Sequence, residues 1–375
     1  MNRPAKALEL IDVPPIASRP VSTSPLRSAG VPLAQPQPIP IATTGLVHIA
    51  PGLLGKASRL RLLMFWVVGL MGFIAVILVV LHLGSLQKMA ALIRSARLGW
   101  MLVALAVQSG TYVSAALVWR DALRVAGHPL ALRTLIPLGI AKVFTDQVLP
   151  SGGISGTMLV VRGLTGRRVP AGIAMAAMLV GMVSYDIAYL FVVLASTGVL
   201  WLQRHLNVAL IIGVAIFVVV TVAVPAAVLG LKQWGRRAPI AGLSKCLGVT
   251  ALLRELTDAP TRLLRSPSLL SRTAALQLAI FVFDALTLWL AFKAIGEVPP
   301  LWVVFVSFIV ASMVATIGPI PVGLGTFEAT SVGMLSLLGV SVEAALAATL
   351  LLRALTFWLP MLPGIWLARQ EIRRS

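Results

Sequence analysis

The sequence predicts an all-α, polytopic integral membrane protein with about six full spans and two broken-helix, re-entrant hairpins. Three observations predict it. The composition is too apolar for a water-facing surface, several apolar runs are long enough to cross a bilayer, and two further runs are cut by clustered proline and glycine. Of 375 residues, 58% are hydrophobic and 11% charged, with a mean hydropathy of +0.96, whereas a soluble domain carries about 25% charged residues.

Residues 1–61 hold ten of the 24 prolines, a density that blocks helix and sheet ladders alike, and read as a disordered, basic tail. The first apolar stretch, about 62–83, lies too far from Met1 for a secretory signal and is long enough to cross ~30 Å of hydrocarbon. It is expected to be a retained anchor. Further spans are expected at 99–118, 170–200, 207–231, 273–295 and 341–368. Helices are the form expected for each, because lipid offers no partner to an unpaired amide. The expected division is thus a tail at 1–61, a membrane domain at 62–368 and a short tail at 369–375.

Two runs do not fit as simple spans. Residues 134–161 are interrupted by Pro150, Gly152, Gly153 and Gly156, and 302–338 by Gly318, Pro319, Pro321, Gly323 and Gly325. Each reads as two half-helices around a break, which survives at membrane depth only when shielded by protein or a wet cavity. Two ordinary spans in 302–338 are the alternative. Val143, Thr145, Leu149, Pro150 and Gly152 lie over Val314, Thr316, Ile320, Pro321 and Gly323 at a constant offset of 171. That offset hints at an inverted repeat, with chance matching in low-complexity apolar sequence as the competing reading.

Lys and Arg total 31 against 12 Asp and Glu, a net charge of +19. Few polar stretches are long enough to bind a duplex, so the excess points to membrane orientation and anionic lipid rather than nucleic acid. With the amino terminus inside, the segments on the inner side carry 24 basic residues and those outside carry four. Both termini are therefore expected in the cytoplasm. The loop 232–272 interleaves arginines and lysines with leucines and reads either as an amphipathic helix at the inner interface or as a basic connector.

One cysteine, Cys246, excludes an intrachain disulfide. His48, His82, His128 and His205 lack metal-ligand spacing, so neither metal nor cofactor is expected. No P-loop is present, and Gly153, Ile154, Ser155 and Gly156 do not complete a nucleophile elbow. A catalytic role is disfavoured.

Charges inside the spans are the candidate functional residues. Asp186 sits mid-span beside Tyr185 and Tyr189, and Asp284 is similarly central. A lone charge there costs about 2.5 to 3.5 kcal/mol on insertion scales and normally faces a partner or water. Arg353 is the expected partner of Asp186, as a packing ion pair or as a substrate or proton site. At the breaks, LPSGGISG and IGPIPVGLGTF lack bulky side chains, so amides at the start of each following half-helix could meet a phosphate. Close packing of small residues competes with that reading. Glu328 is expected to cap its helix, and Lys142 and Asp146 to neutralise each other at i, i+4.

The segment PIPVGLGTFEATSVGMLSLLGVSVEAALAATLLLRALTFWLPMLPG resembles the Pro-x-Gly-x-Gly-x-Phe-Glu segment and Arg-bearing last helix of the flippase-like membrane domain family named after lysylphosphatidylglycerol synthase. LPSGGISGTMLVVRGL is similar to that family's Pro/Gly-Gly block leading to a basic residue, here Arg162, and Asp186 occupies the place of an acid in the next helix. The chain departs from many members by having Ile154 and Ser155 where an acid follows the paired glycines. The resemblance spans about residues 60–370.

That resemblance implies a lipid translocator of the bacterial inner membrane, moving an anionic phospholipid or a polyisoprenoid or hopanoid-type lipid. The candidate substrate-binding residues are Pro150, Gly152, Gly153, Arg162, Asp186, Pro321, Gly323, Gly325, Glu328 and Arg353. Fused relatives carry a soluble aminoacyltransferase domain, which the sequence ending at Ser375 is not expected to supply. A membrane scaffold for a lipid- or hopanoid-synthesis complex and an integral lipid transferase are the alternative functions. A homo-oligomer or lipid-synthesis enzymes are the protein partners left open.

Overall fold

The computed structural model describes residues 92–148, 153–234, 261–317 and 323–374, and the regular structure among them is helical throughout. The expected tail, the expected span at 62–83 and residues 235–260 of the basic loop lie outside the described residues. In chain order the helices are α1 (Leu98–Val125), α2 (Leu132–Val148), α3 (Ile154–Thr165), α4 (Ala171–Leu202), α5 (Val208–Trp234) and α6 (Thr261–Leu264). They continue with α7 (Pro267–Ala294), α8 (Leu301–Ile317), α9 (Thr326–Leu337), α10 (Val342–Arg353) and α11 (Leu359–Arg374). A π turn, Ala354–Trp358, joins α10 to α11.

Among the described residues, α1, α4, α7 and the continuous α10–α11 segment are long and apolar enough to cross a membrane. The sequence of α5 is apolar from Val208 to Leu231. The protein is a multi-pass helical membrane protein. Its surface agrees with that reading, because Phe191, Leu194, Ile212 and Val219 all stand exposed, a belt that water would not tolerate and lipid would.

Two boundaries differ from the expectation for physical reasons. The helix expected to start at 273 begins at Pro267, because Ser266 Oγ accepts the Leu269 N–H at 3.4 Å and proline occupies the first helical position. The added turn is polar, and its Arg272 pairs with Asp121 of α1 at 2.8 Å. The span expected at 341–368 is one continuous segment, Val342–Arg373, that widens at the π turn within it. Pro360 has no N–H to return one turn back, and the Leu359 N–H reaches the Ala354 carbonyl five residues away. Thr356 Oγ1 bonds the Leu352 carbonyl at 2.9 Å beside this irregularity.

Hydrocarbon is as apolar as leucine, so these helices hold together through close fit rather than exclusion from water. Glycine supplies the fit at particular crossings. Gly110 of α1 lies against the Phe283 ring of α7, and a Cβ at Gly364 of α11 would stand 2.6 Å from the Phe144 Cβ of α2.

Helix α4 organises the interior. Its first half, Ala174 to Val180, shares a buried cluster with Leu135 and Leu138 of α2 and Val160, Val161 and Leu164 of α3. Its second half, Ala188 to Val193, shares another with Val303, Val304 and Phe308 of α8 and Phe327 and Leu335 of α9. The α2–α3 and α8–α9 hairpins thus pack on successive halves of one helix, and Asp186 falls between the two clusters.

Candidate functional site

At the first break α2 ends at Val148 and α3 restarts at Ile154. Gly153 makes the restart with φ +86°, a left-handed conformation that favours glycine. Asp146, in the last turn of α2, reaches across the break and accepts the Gly156 N–H at 2.9 Å. Lys142 Nζ sits 2.6 Å from the other carboxylate oxygen. Any Cβ at Gly156 would collide with that carboxylate, so glycine there permits the contact. Thr157 Oγ1 closes the turn on the Gly153 carbonyl at 2.7 Å.

The second break has the same chemistry built from different elements. Gly325, with φ +82°, precedes α9, and its N–H donates to Glu328 Oε2 at 2.6 Å. Glycine has no side chain to return the bond, so this is one half of a capping box. Glu328 Oε1 lies 2.7 Å from Arg353 Nε at the end of α10, with 2% of the glutamate side chain and 15% of the arginine exposed. Arg353 Nη2 also donates to the Gly323 carbonyl at 3.3 Å. Its guanidinium lies over the Phe327 ring at 4.4 Å and near Phe357 at 5.9 Å.

The structure therefore brings Gly323, Gly325, Glu328 and Arg353 together. Gly153 belongs to the first break, with Asp146 and Lys142. Pro150, Gly152 and Pro321 lie outside the described residues. Arg162 is exposed in the last turn of α3, about 13 Å along the helix from Gly153 at 1.5 Å per residue. The expected partnership of Asp186 with Arg353 is replaced by the Glu328 pair, and Asp186 Oδ2 is buried with no hydrogen-bond partner among the described residues. An amide at the start of each second half-helix already meets a carboxylate of the protein itself.

Three contacts escaped the sequence reading. Asp146 does more than neutralise Lys142, since it also caps α3. Gln108 Nε2 of α1 donates to Asp284 Oδ1 of α7 at 2.9 Å. Arg167, in the turn after α3, holds Glu371 of α11 through two bonds of 2.7 and 2.8 Å, and this carboxylate raises the Arg167 guanidinium above the ordinary arginine range. Only the polar character of Gln108 in an apolar run gave a signal in the sequence. The Arg167 bond joins residues 204 apart, beyond any local pattern.

No curated protein matches the chain. The family described as lysylphosphatidylglycerol synthase TM region matches residues 62–364, a segment that contains both breaks, α4 and Arg353. A match over that much of the sequence makes this chain a member of the lysylphosphatidylglycerol synthase transmembrane-region family, and thus a membrane lipid-related protein.

Proposed function

We propose that the protein translocates a lipid with an anionic headgroup, a phospholipid or a polyisoprenoid or hopanoid-type lipid, across the bacterial inner membrane, with both termini cytoplasmic. The observation that carries this reading is the Glu328–Arg353 pair, set at a helix break and flanked by two phenylalanine rings. A buried ion pair contributes little net stability over an apolar filling, so its placement beside an interrupted helix suits a group that exchanges partners. A phosphate arriving at Arg353 would replace the carboxylate, while Glu328 keeps the Gly325 amide.

The first break supports the same reading with a looser pair. Lys142 and Asp146 keep 26% and 21% of their side chains exposed and offer a second cation at the break, where α3 restarts from Gly153. Asp186 lies between the two hairpin cores, and Arg162 and the 232–272 loop supply positive charge for the cytoplasmic lipid surface. The acyl tails remain in the surrounding lipid, against the exposed apolar belt.

Reconstitution tests it. Vesicles containing the protein should flip fluorescent phosphatidylglycerol at least tenfold faster than protein-free vesicles, and a monodisperse Arg353→Ala variant should lose that acceleration. No acceleration by the wild type refutes translocation of this lipid, and equal rates for both proteins remove Arg353 from the pathway. A new lipid species in mass spectra of expressing cells, missing from a deletion strain, would mark a transferase instead.

A further inference from the structure

The geometry points to a binding site for one alkali-metal cation between α1 and α7, formed around Asp284 and the side-chain oxygen of Gln108. Asp284 lies centrally in α7 and has no ion-pair partner among the described residues. The nearest cations on its own helix are engaged elsewhere. Lys293 Nζ is stacked between the Trp289 and Trp100 rings at 4.0 and 4.8 Å, and Arg272 holds Asp121. An intramembrane carboxylate so placed needs positive charge from another source.

Gln108 indicates what that source touches. Its side chain is 4% exposed, and its amide is oriented by two bonds from the same nitrogen, to Asp284 Oδ1 at 2.9 Å and Thr111 Oγ1 at 3.2 Å. Thr111 Oγ1 is itself committed as a donor to the Gln108 carbonyl at 2.7 Å. This arrangement leaves Gln108 Oε1 buried with no donor among the described residues. Reversing the amide would place its oxygen against the carboxylate, so the orphan acceptor is fixed by its neighbours.

The donor set selects the ion. Every candidate ligand is oxygen, which suits a hard cation. No group of three or more His, Cys, Asp or Glu capable of holding a metal is found among the described residues, which disfavours a divalent ion. With the amide oriented as it stands, a proton on Asp284 would still leave Gln108 Oε1 without a donor, whereas an alkali cation takes several oxygens at once. The burial of Gln108 leaves little room for an organic ammonium group. Binding at this site does not depend on the translocation reading. Only the ion's role does: in a lipid translocator it is the coupling ion, held apart from the headgroup pair at Arg353.

The test uses the purified full-length chain in detergent, with radioactive sodium and rubidium ions as separate probes and choline as the balancing cation. Saturable binding of one ion per chain is expected for at least one probe. Asp284→Asn should abolish it and Gln108→Leu should weaken it at least tenfold. Asparagine can still accept the Gln108 N–H, and gel filtration verifies that each variant is folded. No saturable binding to the wild type overturns the site whether or not the variants fold, as does wild-type affinity in folded Asp284→Asn. A gradient of the bound ion should then change flipping by the wild type and not by Asp284→Asn. Saturable binding without any lipid flipping would refute the translocation reading and leave the cation site standing.

Discussion

The two helix breaks solve one problem with unequal commitment. Each interrupts an apolar helix, restarts it from a glycine of positive φ and gives a carboxylate to an amide at the restart. At the first break the acid precedes the gap and its base lies one turn back on the same helix. At the second the acid follows the gap and its base comes from α10, 25 residues further on. The first pair is local and partly exposed, and the second is buried and ties two helices together. Similar backbone breaks therefore need not carry equal energies, because what decides the cost of disturbing them is how completely the paired charge is removed from solvent.

The largest expected effect is at the second break. Arg353→Ala leaves the Glu328 charge buried and unpaired, which should destabilise the protein by about 3–5 kcal/mol, read by thermal or denaturant unfolding in detergent. Adding Glu328→Ala should recover much of that loss. Additive single-variant losses would show that the two side chains are not coupled.

Next comes Gly156→Ala, whose Cβ collides with the Asp146 carboxylate. Overpacking of this kind costs about 1–3 kcal/mol, and Gly156→Ala combined with Asp146→Ala should cost less than the sum of the two. Gly153→Ala, where an added Cβ meets nothing within 4 Å, should lose about 1–2 kcal/mol through its left-handed backbone alone, with no rescue from a second site. Equal rescue of both glycine variants would erase the distinction between a steric and a conformational requirement.

The smallest effect belongs to Lys142→Met. Its i, i+4 partner still accepts the Gly156 N–H and stays partly exposed, so a loss of about 0.5 kcal/mol is expected. The same unfolding measurement applies. A loss comparable to that of Arg353→Ala would mean that the first pair is as isolated from solvent as the second.

How much of this was legible in sequence follows from the range of each interaction. The broken helices could be read from Pro150, Gly152, Pro321 and Gly325, because proline and glycine act on their own backbone. Glu328 as a cap was legible for the same reason, lying three residues from Gly325. Pairing was not. Asp186 and Arg353 are opposite charges available to each other in the sequence, but α9 and α10 are adjacent in the chain and bring Glu328 to the arginine first. The π turn at 354–358 was hidden because Pro360 signals an interruption without saying how the helix absorbs it. The offset of 171 carries the general resemblance of the hairpins, yet the restart glycines Gly153 and Gly325 are 172 apart and the two acids fall on opposite sides of their gaps.

Lipid photocrosslinking gives the most direct view of where a headgroup travels. With a photoactivatable phosphatidylglycerol in membranes containing the wild-type protein, adducts should concentrate on residues 142–157, on 323–328 and around Arg353, and should fall in Arg353→Ala at the second break. Adducts confined to the outer belt of Phe191, Leu194 and Val219, with none at either break, would contradict a lipid pathway through the acid-capped hairpins.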